Sequence, residues 1–470
     1  MPVRYILTWL DTEDYVAPAA DDAALFVAET LSRHNLVGTF KVVGEKARVL
    51  ERRGRRDAIK AIARHAVGFH TDFHSKPPTV PVYLEPMADW DESVAEFERR
   101  EGRGVEDVKH IFGKEISCYG QPGTGWAPQA HRALLDWHVP LYLDGFSYVG
   151  LDGGPFWFQN VLTVCRMKAS VYVPWQDAEP AAKAVELFRR AMDALPAGGI
   201  ISFGGHPCEL CDAEWWDVVN FSGGVDRDPS AYVAPRQFPS ERIAKNRTEF
   251  EKVCAFVENL PGVKSVGPDA IVEACRDTTL GKRFTREVVE AAARRLAESI
   301  SFLPIEEGHL SAAQAFYLLA DFAAAKSSAL PAEARAKPVL GPKSRAETTI
   351  AASHIPGDEV VAAARRARRD MDKTKHLPSA VEVSDGLLSA GDFCATLAGF
   401  MASWLSDGAR PERAEVRKGR LDFEKYMTGL GDCNDWPPFP PDFHAPRLEE
   451  FARLQAWTIK PAVEVSRASS

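Results

Sequence analysis

Long apolar runs are missing from this 470-residue chain. None approaches the roughly 20 residues that a helix needs to cross a bilayer, which excludes a helical membrane span. A basic excess is missing too. Lys and Arg number 57 against 66 Asp and Glu, a formal charge of −9, which argues against nucleic acid or an anionic membrane as partner. Cysteine is sparse: 8 residues without a dense framework, as expected of free thiols. Cys208-x-x-Cys211 has no second pair at zinc-ribbon spacing, so two small loop residues account for it better than a zinc or redox site. No secretory leader precedes the first strand, which implies a cytoplasmic protein, or one of the cell envelope should translation start upstream. The remainder, 45% apolar and 26% charged, is the balance of a globular protein, long enough for two or three domains.

What is present begins with Leu7-Thr8-Trp9-Leu10 running into Asp11-Thr12-Glu13-Asp14. A buried strand ending in clustered carboxylates is costly unless a metal ion or a catalytic task compensates. The matching half is His70-Thr71-Asp72-Phe73-His74. Two imidazoles and a carboxylate, with positions left for water and substrate, suit Zn²⁺ or a similar divalent ion. The plainer alternative is two histidines that merely meet at a turn. Residues 3–10, 38–44 and 67–70 read as strands, alternating with helical stretches at 23–33 and 57–64. That alternation predicts a parallel α/β arrangement, barrel or doubly wound, and either form carries its site at the C-terminal strand ends. Asp11–Asp14 and His70 fall there. Lys76-Pro77-Pro78 follows His74, so a loop or one distorted turn fits the pair as well as a helix does. Strand alternation would point Asp11 and Glu13 the same way, whereas a turn beginning at Glu13 would bring in Asp14.

Over residues 3–272 these motifs resemble the polysaccharide deacetylase (NodB-homology, carbohydrate esterase 4) superfamily, in an uncharacterised branch marked by residues 38–47 and 206–222. The resemblance implies a distorted (β/α) barrel of NodB type and metal-dependent removal of acetyl groups from an N-acetylated glycan. Asp11 takes the place of the general base. Asp14, His70 and His74 take the places of the metal ligands, for Zn²⁺ first and Co²⁺ or Ni²⁺ next. His206, after the apolar run 199–205, takes that of the general acid, a role suited to an imidazole titrating near neutrality. The family's third motif is normally R-x-P-x-G. Here Cys118-Tyr119-Gly120-Gln121-Pro122-Gly123 carries no arginine before the proline. An arginine would hold the base charged and oriented, whereas Gln121 can only hydrogen-bond. Gln121, Pro122, Gly123, Trp126 and Asp144 are the candidate substrate-side residues. Trp126 and Trp137 would wall an acetyl pocket, or else sit in the core. Two other readings stand beside this one. A small-amide C–N hydrolase of the same superfamily would show a closed pocket instead of a long groove. A catalytically inactive glycan-binding protein would keep only the scaffold.

From Phe284 the pattern turns Ala/Arg/Glu-rich and duplicated. Glu287-Val288-Val289 recurs as Glu359-Val360-Val361, Leu310-Ser311-Ala312 as Leu388-Ser389-Ala390, and Leu303-Pro304 as Leu377-Pro378. Two helix–loop–helix copies are the simplest account. They distantly resemble pseudomurein-binding repeats, which implies attachment to a cell-envelope glycan; the alternative is a packing or dimerisation domain. Residues 327–349, rich in Ala, Pro and Lys, read as a flexible connector. The expected organisation is a deacetylase-like barrel at 1–275, an all-α duplicated domain at 284–405, and a charged, Pro-rich extension at 406–470. Trp436, Phe439 and Phe443 are the extension's candidates for packing against the body.

Overall fold

The computed structural model describes residues 3–196, 198–306, 308–325, 331–383, 385–432 and 435–462. Its first part carries β1 (Arg4–Thr12), β2 (Gly38–Val42), β3 (Ala66–Phe69), β4 (Leu141–Leu143), β5 (Phe156–Phe158), β6 (Val161–Val164), β7 (Ser170–Val171), β8 (Ile200–Gly205) and β9 (Val263–Ser265). β1 lies at the centre, buried from Ile6 to Thr12, as expected of a parallel strand covered on both faces. β2 and β3 follow on one side and β8 and β7 on the other, all parallel, while β9 pairs with the first residues of β1. Tyr119 bridges Phe69 of β3 to Tyr142 of β4. The sheet thereby continues parallel into β4 and β6, then turns antiparallel into β5. The protein is therefore mixed α/β around a parallel sheet. Among the described residues no ladder closes β7 onto the far edge.

The second part differs from the all-α expectation. One copy runs β10 (Arg283–Thr285), helix Arg286–Glu298, hairpin β11 (Leu303–Ile305) and β12 (Gly308–Leu310), helix Ala312–Ala323, β13 (Glu333–Arg335). The other runs β14 (His354–Pro356), helix Gly357–Thr374, hairpin β15 (Ala380–Val383) and β16 (Gly386–Ser389), helix Ala390–Asp407, β17 (Arg413–Glu415). In each copy the first and last strands pair antiparallel. Strands of three or four residues are too short to display a period of two, which is why the sequence shows only the helices. The duplication itself extends to detail. Gly308 and Gly386 open the second hairpin strands at φ 146° and 150°, a region that only glycine enters freely. Ser311 and Ser389 each cap the following helix. The Leu-Pro pairs are not equivalent, since Leu303-Pro304 lies within β11 and Leu377-Pro378 precedes β15. The copies interlock, helix Arg286–Glu298 packing on helix Ala390–Asp407 and helix Ala312–Ala323 on helix Gly357–Thr374.

The expected connector is also different where it is described. Residues 326–330 lie outside the described residues, but Val339 and Leu340 are buried and the Leu340 amide donates to the Lys375 carbonyl. Apolar side chains inside a stretch of linker-like composition have docked it. The tail returns to the first part, where β18 (Lys460–Pro461) pairs antiparallel with β5. Buried Lys460 donates to Asp277, Thr279 and Gln314, tying the two parts together. No helix among the described residues is long and apolar enough to cross a membrane.

An expectation follows for truncation. A chain ending at residue 283 loses β18 and bares the apolar surface that the duplicated part covers. It should aggregate, whereas the full chain stays dispersed. A monodisperse 1–283 fragment with a cooperative melt, by size exclusion and circular dichroism, would contradict this.

Candidate metal and catalytic site

β1 runs two residues further than its apolar stretch, to Thr12. Alternation therefore persists to the strand end, and Asp11 and Glu13 face the same way. Asp14 turns aside. Its Oδ1 accepts from the amides of Val16 and Ala17, at 2.7 and 3.1 Å, just ahead of helix Pro18–Arg33. The structure thus brings Glu13, and not the expected Asp14, together with His70 and His74.

Glu13, His70 and His74 are buried, and each offers a donor atom within 4.8 Å of the others. Glu13 Oε2 lies 2.9 Å from His74 Nε2 and 3.7 Å from His70 Nε2. His70 Nδ1 is held by the Gly120 carbonyl at 2.9 Å and His74 Nδ1 by Ser75 Oγ at 3.1 Å. Both rings therefore turn Nε2 toward the carboxylate, the arrangement by which outer partners orient imidazole ligands. Two imidazole nitrogens aimed at one carboxylate oxygen fit donors arranged around a shared cation. The pair sits on a loop, with Thr71 and His74 at φ 63° and 58°. Those non-glycine left-handed residues are stabilised by Thr71 Oγ1 accepting from the His74 amide and by buried Glu101 accepting from the Asp72 amide.

The parallel register of β1 and β2 sets Asp11 beside Lys41. Lys41 Nζ lies 2.8 Å from Asp11 Oδ1 and 3.0 Å from Asp144 Oδ2, fully buried and 4.3 Å over the Trp9 ring. Burial opposes the charge on Asp11, yet His70, Lys41 and His206 outweigh it and hold the carboxyl below its ordinary range. Lys41 thus supplies the cation that the third motif lacks. The R-x-P spacing would place an arginine at position 120. A Cβ on Gly120 would sit 2.3 Å from Lys41 Nζ and 2.5 Å from Asp144 Oδ2, so lysine and side chain exclude each other there.

His206 follows β8, its Nε2 3.6 Å from Asp11 Oδ2 and its Nδ1 3.4 Å from Glu209 Oε2. Burial disfavours its charged form, but Glu13, Glu209 and Asp11 prevail and push it up to about 10. Cys208 and Cys211 are buried in and after the short turn Pro207–Leu210 and do not join the cluster.

Above these groups lies a cavity of 530 Å³. Gln121, Gly123 and Asp144 line it, Gln121 Oε1 accepting from the Tyr119 hydroxyl at 2.6 Å. Pro122 and Trp126 do not. Trp126 is packed in the core against His131, Tyr148 and Phe158, and Trp137 stacks on Phe97. The aromatic walls are instead Trp9, Phe146, Tyr172, Trp215 and Trp436. Trp215 follows the second half of the site within ten residues of His206, a proximity the sequence does display. Trp436 lies in the tail, where the sequence offers it for packing against the body but not as a wall of this cavity.

No family model matches the chain, and no curated protein sequence does. Among solved structures, a "putative polysaccharide deacetylase from Mycobacterium smegmatis" is similar at TM-score 0.36 and 18% identity, over 58% of this chain and 90% of that one. A family 4 acetyl xylan esterase from Clostridium thermocellum, in complex with a cobalt ion, gives 0.31 and 11%, over 57% and 90%. A CE4 family pseudoenzyme from Bacillus anthracis gives 0.27 and 12%, over 44% and 55%. The chain is distantly similar to CE4 polysaccharide deacetylases.

Proposed function

We propose that this protein is a metal-dependent hydrolase that removes the acyl group from an N-acylated substrate, an N-acetylated glycan by the sequence resemblance. The carrying observation is a three-donor set of Glu13, His70 and His74 beside an Asp11 clamped by Lys41 and facing His206. A divalent ion there, Zn²⁺ first and Co²⁺ or Ni²⁺ next, would polarise the acyl carbonyl and make a bound water acidic. The protein's own groups do the rest. Asp11 Oδ1 is engaged by Lys41, which leaves Oδ2, 3.7 Å from His70 Nε2, to accept the water's proton. His206, protonated among carboxylates and backed by Glu209, gives a proton to the departing nitrogen. A cation bound at Glu13 would offset that carboxylate and bring His206 back toward neutrality. In this reading residues 1–275 carry the NodB-type hydrolase site, and the duplicated part and tail complete the core around it.

The absent arginine was the feature favouring an inactive glycan-binding chain, and Lys41 supplies a cation in its stead. Asp11→Asn is the direct test. The variant should retain the metal content of the parent and lose about 10²–10⁴ in kcat/KM, the usual worth of a general base. Undiminished acetate release with full metal content would remove Asp11 from that role.

A further inference from the structure

Each catalytic imidazole has an aromatic wall beside it. On the His74 side stands Trp436, its ring edge-on to His74 at 5.4 Å and its Nε1 donating to buried Asp217 at 3.1 Å. Its indole lies against Gly123, where a Cβ would be 2.2 Å from Trp436 Cδ2 and φ is 63°, so that glycine is what admits the ring. Pro437 accepts from the Gly223 amide at 2.8 Å and Phe439 packs edge-on to Trp436, so the tail is anchored directly after the indole. On the His206 side stand Trp215 and Tyr172, ring centroids 4.9 and 6.1 Å from the imidazole, with the Tyr172 hydroxyl tied to Glu209. Phe146, Tyr172 and Trp215 are 38–39% exposed at the mouth. A polymer threading past the reacting centre needs both sides open. Here the tail narrows the His74 side and the aromatic pair lines the His206 side.

Charge narrows the occupant further. Asp11, Glu13, Asp144 and Asp217 line the cavity, and among the described residues no Lys or Arg does. Away from the metal donors and His206, a ring bearing a carboxylate or phosphate would meet Asp217 with no lysine or arginine opposite. The volume, 530 Å³, is that of a cavity enclosing most of one small molecule, about 300–1,000 Å³. Flat aromatic walls suit a sugar or aryl ring.

We infer that the site takes a neutral single-ring N-acyl compound, or the terminal ring of a neutral N-acylated oligosaccharide, and that Trp436 is the residue that shuts out internal rings of a polymer. The inference rests on the hydrolase reading for the orientation of the acyl group, and its test separates the two. Full-length zinc-loaded Asp11→Asn protein, which binds without turning over, is titrated calorimetrically with N-acetylglucosamine, acetanilide, hexa-N-acetylchitohexaose and N-acetylmuramic acid. The single neutral sugar and the hexamer should bind within about threefold of each other, and the anionic ring at least about tenfold more weakly. Adding Trp436→Ala should tighten the hexamer about tenfold relative to the single ring, while Trp436→Phe keeps the parental ratio and shows that the wall, not the fold, is responsible. The inference is overturned by a hexamer that binds tenfold tighter in the parent, by equal binding of the anionic ring, by a ratio unmoved in Trp436→Ala, or by no binding of either neutral single-ring probe. Acetate release from the Asp11 parent is read separately. Its absence alongside the expected binding pattern would sink the hydrolase reading and leave the pocket assignment standing.

Discussion

Glu13→Gln should empty the metal site, and Asp14→Asn should leave it filled. Elemental analysis of full-length protein after exposure to zinc, cobalt or nickel is expected to give about one ion per chain for the parent and for Asp14→Asn. It should give none for Glu13→Gln, His70→Ala or His74→Ala. The reasoning is geometric. Glu13 Oε2 lies within 3.7 Å of both imidazole Nε2 atoms, and its other oxygen accepts from the Trp216 indole at 3.1 Å, which fixes the carboxylate in place. An amide at this position keeps the shape and loses the anionic donor that a divalent ion requires. The Asp14 carboxylate, by contrast, is spent on two backbone amides ahead of helix Pro18–Arg33, a task that an asparagine carbonyl also performs. Full metal in Glu13→Gln together with an empty Asp14→Asn would reverse the assignment.

Much of the site was legible because it lies at strand ends that hydrophobic runs announce. Asp11, His70, His74 and His206 were all marked in the sequence and all meet in space. The choice between Glu13 and Asp14 was not legible, because it turns on whether the strand ends before or after Thr12, a matter of two residues with little propensity signal. Lys41 was hidden for another reason. Its partner is set by register between strands 30 residues apart, and register is a tertiary quantity that neither strand's own pattern contains. Trp436 shows the limit of local reading: the sequence offers it for packing against the body, but not the space beside Gly123 that its ring fills. Trp126 failed in the opposite sense: its position after the third motif suggested a pocket wall, but its ring is surrounded by Tyr148, Phe158 and His131 in the core.

Lys41 gives the second large expected effect. It is the buried cation between two buried carboxylates, and breaking such a pair on one side leaves an uncompensated charge worth about 3–5 kcal/mol. Lys41→Met should therefore melt well below the parent and lower kcat/KM at neutral pH. The pH dependence has a definite sign. Lys41 is among the groups that hold Asp11 below its ordinary range, so the charged base in the parent survives below the unfolded carboxylate value. Without the lysine, burial is opposed by the imidazoles alone, the Asp11 pKa rises, and the acid limb of kcat/KM should move to higher pH. Stability that the charged Asp11 contributes, present in the parent above the unfolded pKa and lost as pH falls through the folded one, should disappear with it. Lys41→Arg keeps the charge but must fit a larger head where Gly68 and Gly120 already crowd the lysine, so it should lose stability while retaining the parental acid limb. An acid limb that stays put in Lys41→Met would mean that the lysine holds the fold alone and that Asp11 owes its charge to the imidazoles.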